Sequence, residues 1–493
     1  MLQDALAHHQ AGRLREAEAL YRALLEAEPG NSEALHLLGV AAHQLGRHEE
    51  AVGLIGRAIA ANPSRPEFHS NLGEVQRTLG RHAEAERCFR AALALDPDLA
   101  AAHGNLGHAL LAQQRHEAAA ESYARAAALD PRNAAVLVNL AFALIELGRL
   151  PEAERRCRQA LALVPGDAEP HQFLAIALAG LERFDEAADS YRRALALKPD
   201  YLEAHLNFAQ LQLMRGEYAQ GWRDYAWRWQ RDDMPRAPES AGRLWSGAED
   251  LRGRSILLQA EQGLGDTLHF ARYAPLVAAK GAKVFLKVPE VLAPFLKELG
   301  DVNPAPRTDF YCPLLSLPAA FQTTVDTIPA AIPYLKAHAG DWRARLGGDG
   351  RKLVGLCWRG NPQYKGDRHR SMSLEALEPL FAVPGVRFVS LQKELHAHER
   401  RPELAHPGGD FASTASLVAA LDLVISVDTV WAHWAGAIGK PLWLLLSRQS
   451  HWCWLWGRED SPWYPSAKLF RQPAAGDWAS VVERLVRELG RHR

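Results

Sequence analysis

The chain has 493 residues, 48% hydrophobic and 23% charged, which is too long for a single compact core and too apolar for wholesale disorder. Its 57 Lys plus Arg are balanced by 58 Asp plus Glu, a net charge of -1, so the global field gives no reason to expect nucleic acid or an anionic membrane as partner. All 14 Trp lie after position 220, and the chain before that point is dense in Ala, Leu, Glu and Arg, which marks two structural regimes.

Proline recurs at Pro29, Pro63, Pro97, Pro131, Pro165 and Pro199, a period of 34 residues. Small residues keep the same phase: Ala51, Ala85, Ala119, Ala153 and Ala187 at one position, and Gly39, Gly73, Gly107, Ala141, Ala175 and Ala209 at another. Once per period a larger residue (Tyr21, Ile55, Phe89, Tyr123, Cys157, Tyr191, Tyr225) is placed to fill the space between two antiparallel helices. In a representative unit the spacing predicts helix A over about 66–79, a turn at Gly80-Arg81, and helix B over about 83–95, with Pro97 after its end. Asn71, Asn105, Asn139 and Asn207 share one A-helix position, which Leu37 and Phe173 occupy in other repeats. An amide there can hold the backbone of an extended peptide, or it can tie adjacent repeats together, and the sequence leaves both readings open.

Residues 215–250 leave the repeat phase and read as a capping helix, with Trp222, Trp227, Trp229 and Trp245 packing the end of the solenoid, followed by a junction. Asp232-Asp233 lies in that junction without strand context and is not read as a metal motif. From Arg254 the pattern changes to strand RSILLQA, loop EQGLGD and helix TLHFARYAPLVAAK, followed by a second strand, AKVFLKV. A second α/β unit runs through KLVGLCW, VRFVSLQ, LDLVISV and KPLWLLL. Domains are therefore expected at 1–230, 231–251 (junction), 252–345 and 346–493. Small-molecule sites in such sheets lie beyond the strand C-terminal ends.

Three loops qualify. Gly263 and Gly265 allow close approach, and Asp266 can accept a proton from an attacking hydroxyl, with His269 one turn later; alternatively Asp266 caps its helix. In the loop Cys357-Trp358-Arg359-Gly360, Arg359 with Lys365, Arg368 and Arg370 can neutralise a diphosphate, or forms a solvated basic loop. After LDLVISV, Asp428 and Thr429 stand at a helix start with His433 one turn on; the Thr429 hydroxyl and backbone N–H groups suit phosphate, and His433 can donate to a leaving oxygen. Gln392 and Lys393, ending VRFVSLQK, are expected near a nucleoside, and REDSPWYP is a lid or interlobe candidate. The five Cys, at 88, 157, 312, 357 and 453, form no close pair and read as buried thiols. No metal motif, cofactor or membrane span is expected, and with no signal-length apolar core at the N-terminus the expected location is the cytoplasm.

The repeat pattern resembles the tetratricopeptide repeat over about residues 1–230, a peptide-binding α solenoid. Protein O-linked N-acetylglucosamine transferases carry a similar concave asparagine ladder. The second half resembles a bacterial heptosyltransferase-like GT-B glycosyltransferase, an α/β fold with two Rossmann-like lobes, through AEQGLGDTLHFARY, DFYCPLLSLP, GLCWRGNPQYKGDRHRSM, DLVISVDTVWAHWAGAIGKP and REDSPWYPSAKLFRQ. The resemblance implies a metal-independent, inverting transfer from a nucleotide diphosphate-sugar, with Asp266 as general base and Asp428, Thr429 and His433 binding the donor. The repeat superhelix suggests an acceptor hydroxyl on a polypeptide held by the repeats, and a resemblance to repeat-bearing flagellin glycosyltransferases makes flagellin one such acceptor. Two other readings stay open: a saccharide or lipopolysaccharide transferase whose repeats organise an assembly, and an inactive peptide-binding adaptor. Exposed solenoid faces also leave pairing between copies open.

Overall fold

A computed structural model describes residues 1–303, 307–347, 349–363 and 366–491. The chain divides into two compact units, Met1–Ala204 and His205–Arg493.

The first unit is a run of antiparallel helix pairs, beginning with Leu2–Gln10 and Leu14–Ala27 and ending with Ala168–Gly180 and Phe184–Leu197. The representative pair spans Pro66–Thr78 and His82–Leu95, as the spacing predicts, with Gly80 making the turn at φ +74 where a side chain would be strained. The periodic small residues act as contact points. A Cβ added at Gly73 would lie 2.7 Å from the Phe89 ring, and one at Gly107 would lie 2.7 Å from the Tyr123 ring. Cys157 fills the same slot in its repeat and is fully buried. Successive first helices also approach one another, Ser32–Gln44 with Pro66–Thr78 and Pro66–Thr78 with Ala100–Ala112, so these helices share one layer of the stack.

The division falls inside helix Leu202–Met214, upstream of the expected boundary at 230. The physical reason is hydrophobic: Ala209, Leu213, Tyr218, Trp222 and Tyr225 belong to the core of the second unit, and the Trp222 indole donates to the Thr323 carbonyl at 3.2 Å. The stretch expected to be a plain junction also contributes structure. Its strand β1 (Arg243–Leu244) joins a sheet, and Trp245 beside it is 1% exposed.

The second unit contains two sheets whose strand pairs are all parallel. The first comprises β1, β2 (Ser255–Gln259), β3 (Lys283–Lys287), β4 (Asp301–Val302) and β5 (Phe310–Pro313) in the order β1-β5-β2-β3-β4. The second comprises β6 (Lys352–Cys357), β7 (Val386–Ser390), β8 (Leu404–Ala405), β9 (Leu423–Val427), β10 (Leu442–Leu446) and β11 (Ala467–Arg471) in the order β11-β10-β9-β6-β7-β8. Both orders reverse direction once, between β2 and β5 and between β6 and β9, and such switch points open a crevice at the strand C-terminal ends. The buried strands are apolar on both faces, as covered parallel sheets require. Along β10, Leu442, Leu444 and Leu446 enter one core while Trp443 and Leu445 enter the other.

Candidate functional site

The two switch points meet. The loop after β2 leads into helix Leu264–Ala271, the loop after β9 leads into helix Val430–Ala437, and these helices pack against each other. Gly265 makes the approach feasible, because a Cβ there would lie 2.8 Å from the His433 ring. Neither helix start is capped by a side chain, so its first N–H groups are not taken by a side-chain acceptor.

Asp266 stands in the first turn of its helix, partly exposed. Among the described residues its carboxylate takes part in no hydrogen bond or ion pair, so the capping role is not realised. The loop that carries it is held from beneath. Glu261, with a fully buried side chain, pairs with Arg228 through two bonds of 2.9 and 3.1 Å and accepts from the Leu315 backbone at 2.9 Å. Burial pushes the Glu261 carboxyl up despite Arg228. Neither residue was singled out from the sequence, where Arg228 is one charge among the junction aromatics.

Across from this loop, Asp428 Oδ1 lies 3.6 Å from His433 Nε2. Burial works against the Asp428 charge, but the His433 ring, with His451 and Trp454, more than reverses this and holds the carboxyl at about 2. His451, from the loop after β10, was not anticipated; burial lowers its pKa, while Asp266 and Asp428 both act to raise it, so its ring feels both carboxylates. Arg370 pairs through Nε with Asp367 at 2.9 Å, and its charge acts on both Cys357 and His451.

Several expected roles are corrected by burial. His269 is 1% exposed, its Nδ1 3.3 Å from His433 Nδ1 and from the Tyr464 hydroxyl, so it reaches the crevice only through His433. Trp358 is fully buried and donates to Glu399 at 3.0 Å, which makes it a core residue. Arg359 is spent on Glu399 at 2.7 Å and the Glu394 carbonyl at 2.6 Å. Gly360 donates to Ser371 at 2.9 Å and leaves room for the Asp367–Arg370 turn, against whose side chains a Cβ would collide. The Thr429 hydroxyl turns inward to Ser426 at 3.0 Å; since Ser426 gives its own proton to the Val427 carbonyl, Thr429 is the donor, and only its helix start is left for an anion. Gln392 accepts from the backbone of Trp358 and Arg359 at 3.1 and 3.2 Å and so fixes that turn. Lys393 is exposed. Lys365 and the Arg368 side chain lie outside the described residues. Trp463 and Tyr464 of REDSPWYP are fully buried, and Tyr464 packs against His269 and His433 from the two helices, so of the two expected roles the segment takes that of bridging rather than covering here.

In the repeats, Asn71 Nδ2 lies 2.7 Å from His36 Nε2 of the preceding first helix, so this amide ties neighbours together. Asn105, Asn139 and Asn207 are half-buried, and among the described residues they make no side-chain hydrogen bond.

Sequence profiles of the tetratricopeptide repeat match residues 8–74 and 110–177, 51–100 and 70–134, and 168–201. Protein FlbA of Caulobacter vibrioides is 31% identical over 326 residues, covering 57% of this chain and 54% of that protein. The chain thus spans about half the length of that curated relative, and the match is longer than the repeat unit, which ends at Ala204. Among solved structures, the chain is similar to MamA (22% identity, 35% of this chain, 94% of that one, TM-score 0.33) and to YrrB (18%, 37%, 95%, 0.35). A third is pilF of Pseudomonas aeruginosa (21%, 41%, 92%, 0.38). The first unit is a tetratricopeptide-repeat α solenoid and the second an α/β unit of parallel sheets. Among the described residues no helix is long and apolar enough to cross a membrane.

Proposed function

We propose that the chain is an inverting glycosyltransferase of the two-lobed GT-B kind, moving a sugar from a nucleotide diphosphate-sugar to a hydroxyl of a polypeptide bound by the repeats. The observation that carries this reading is the meeting of two switch points, with an unpartnered carboxylate, Asp266, on one side and Asp428, His433 and Arg370 on the other. The acceptor hydroxyl gives its proton to an Asp266 oxygen as its own oxygen bonds the anomeric carbon. The bond from that carbon to the diphosphate oxygen breaks on the opposite face, and the electron pair leaves with the diphosphate. The uncapped start of helix Val430–Ala437, the His433 ring and Arg370 offset the charge that develops there. Asn105 and Asn139, with no partner of their own among the described residues, suit the amides of an extended acceptor, with flagellin the first to try.

Calorimetric titration of the full chain with UDP, GDP, ADP and dTDP tests the donor side. One nucleotide is expected to bind, and Arg370→Ala or His433→Gln to weaken it by about tenfold or more, the worth of a charge-assisted hydrogen bond. A chain that binds none of the four, or binds one equally well in both variants, overturns the assignment.

A further inference from the structure

Behind the two carboxylates lies a closed polar cluster that the transfer chemistry leaves unexplained. His269 Nδ1 is 3.3 Å from His433 Nδ1, and the Tyr464 hydroxyl is 3.1 Å from His433 Nδ1 and 3.3 Å from His269 Nδ1. The Tyr334 hydroxyl, 3.4 Å from that of Tyr464, donates to the Leu268 carbonyl at 3.0 Å and accepts from Arg272 at 3.2 Å. Arg272 is 3% exposed and has no carboxylate partner among the described residues; its guanidinium bonds carbonyl oxygens and lies 4.5 Å from the Tyr464 ring centre. Burial, reinforced by this fixed positive charge, keeps His269 neutral.

The proton positions follow from one orphan. His269 Nε2 is buried and, among the described residues, has no partner. An unpaired N–H costs more than an unpaired lone pair and is rarely found buried, so the His269 proton sits on Nδ1. Two nitrogens 3.3 Å apart cannot both carry protons toward each other, so His433 Nδ1 is bare and accepts, from His269 or from the Tyr464 hydroxyl. The His433 proton is then on Nε2, facing Asp428, whose ionised carboxylate has only lone pairs to offer.

We infer that His269 and Tyr464 are positioning residues that fix the His433 ring with Nδ1 as the acceptor and Nε2–H turned outward, so that the crevice is presented with a fixed hydrogen-bond donor. At 3.6 Å this donor is not consumed by Asp428, and an anionic oxygen entering between them can take it. The use of that donor on a diphosphate rests on the transferase reading; the tautomer itself does not.

The test needs no substrate. Full-length protein carrying ring-15N histidine is examined by two-bond 15N–1H correlation at neutral pH, with the His433 signals identified by their loss in His433→Gln. The expected pattern is a protonated Nε2 and a bare Nδ1 in the unmodified chain, shifting toward a mixture of tautomers when both groups facing Nδ1 are removed in the double variant His269→Phe, Tyr464→Phe. A protonated Nδ1 on His433 in the unmodified chain overturns the inference even if the double variant fails to fold. So does a folded double variant with an unchanged His433 pattern. Failure to bind any nucleotide would count against the transferase reading alone.

Discussion

In the repeat unit charges stay near the surface and recur: Arg47, Arg81, Arg115, Arg149 and Arg183, each just before a second helix, pair with Glu18, Glu49, Glu86, Glu117 and Glu154 of the preceding repeat. In the α/β unit the important arginines are buried and used once each, Arg228 on Glu261 and Arg272 on carbonyls and rings. The contrast separates two ways of making structure. A solenoid solves one local packing problem and repeats it, so its polar groups can be individually weak. The α/β unit must hold several loops from distant parts of the chain at one point, and it does so with polar groups that have no water to fall back on.

The contrast predicts very unequal mutational costs. Glu261→Ala, which strands the buried Arg228 charge, should destabilise the second unit by about 3–5 kcal/mol and displace the Asp266 loop, measured by urea unfolding with tryptophan fluorescence, since every Trp lies after position 220. A loss below about 1 kcal/mol would mean that the pair is dispensable. Gly107→Val, which drives a side chain into the Tyr123 ring, should cost up to about 3 kcal/mol in the helical transition followed by far-ultraviolet circular dichroism while leaving the fluorescence transition in place.

Asp428 gives a pH signature of intermediate size. Its carboxyl lies at about 2 when folded and near 3.8 unfolded, so its contribution is fully present above about pH 4 and is lost as pH falls toward 2. The difference amounts to about 2 kcal/mol. The stability gap between the unmodified chain and Asp428→Asn should therefore narrow across that window; a gap independent of pH would contradict the placement of His433 beside it. At the small end, Arg149→Ala should leave the helical transition seen by circular dichroism where it is in the unmodified chain, because both its partners, Glu117 and Glu152, are solvated and water replaces the guanidinium easily; a clear downward shift would contradict this.

How far the sequence could be read follows the same division. Period, helix bounds and the Gly107–Tyr123 contact are local, repeated facts, and the 34-residue phase contains them. The loops carrying Asp266, Asp428 and His433 were legible because glycine or a polar pair interrupts an apolar strand just before a helix. What those side chains do was less legible. Trp358, Arg359, Thr429 and Gln392 look like ligand-facing groups in a string, but each is spent inside the protein, on Glu399, Ser426 or a neighbouring turn. His451, Tyr334 and Tyr464 matter only through long-range packing, and no spacing links them to His433. The asparagine series divides for a comparable reason: a histidine one repeat earlier, at position 36, captures Asn71, and Asn105 has no such neighbour.

The central claim is that a sugar moves at the crevice beside Asp266. Intact-mass spectrometry of an acceptor polypeptide incubated with the full chain and a panel of nucleotide diphosphate-sugars tests it directly, with Asp266→Asn run in parallel. The account predicts a mass increment of one glycosyl residue with a particular donor, reduced at least about a hundredfold in Asp266→Asn while nucleotide binding persists, as expected for loss of a general base. Undiminished transfer by Asp266→Asn, or nucleotide binding with no increment from any donor, would contradict it.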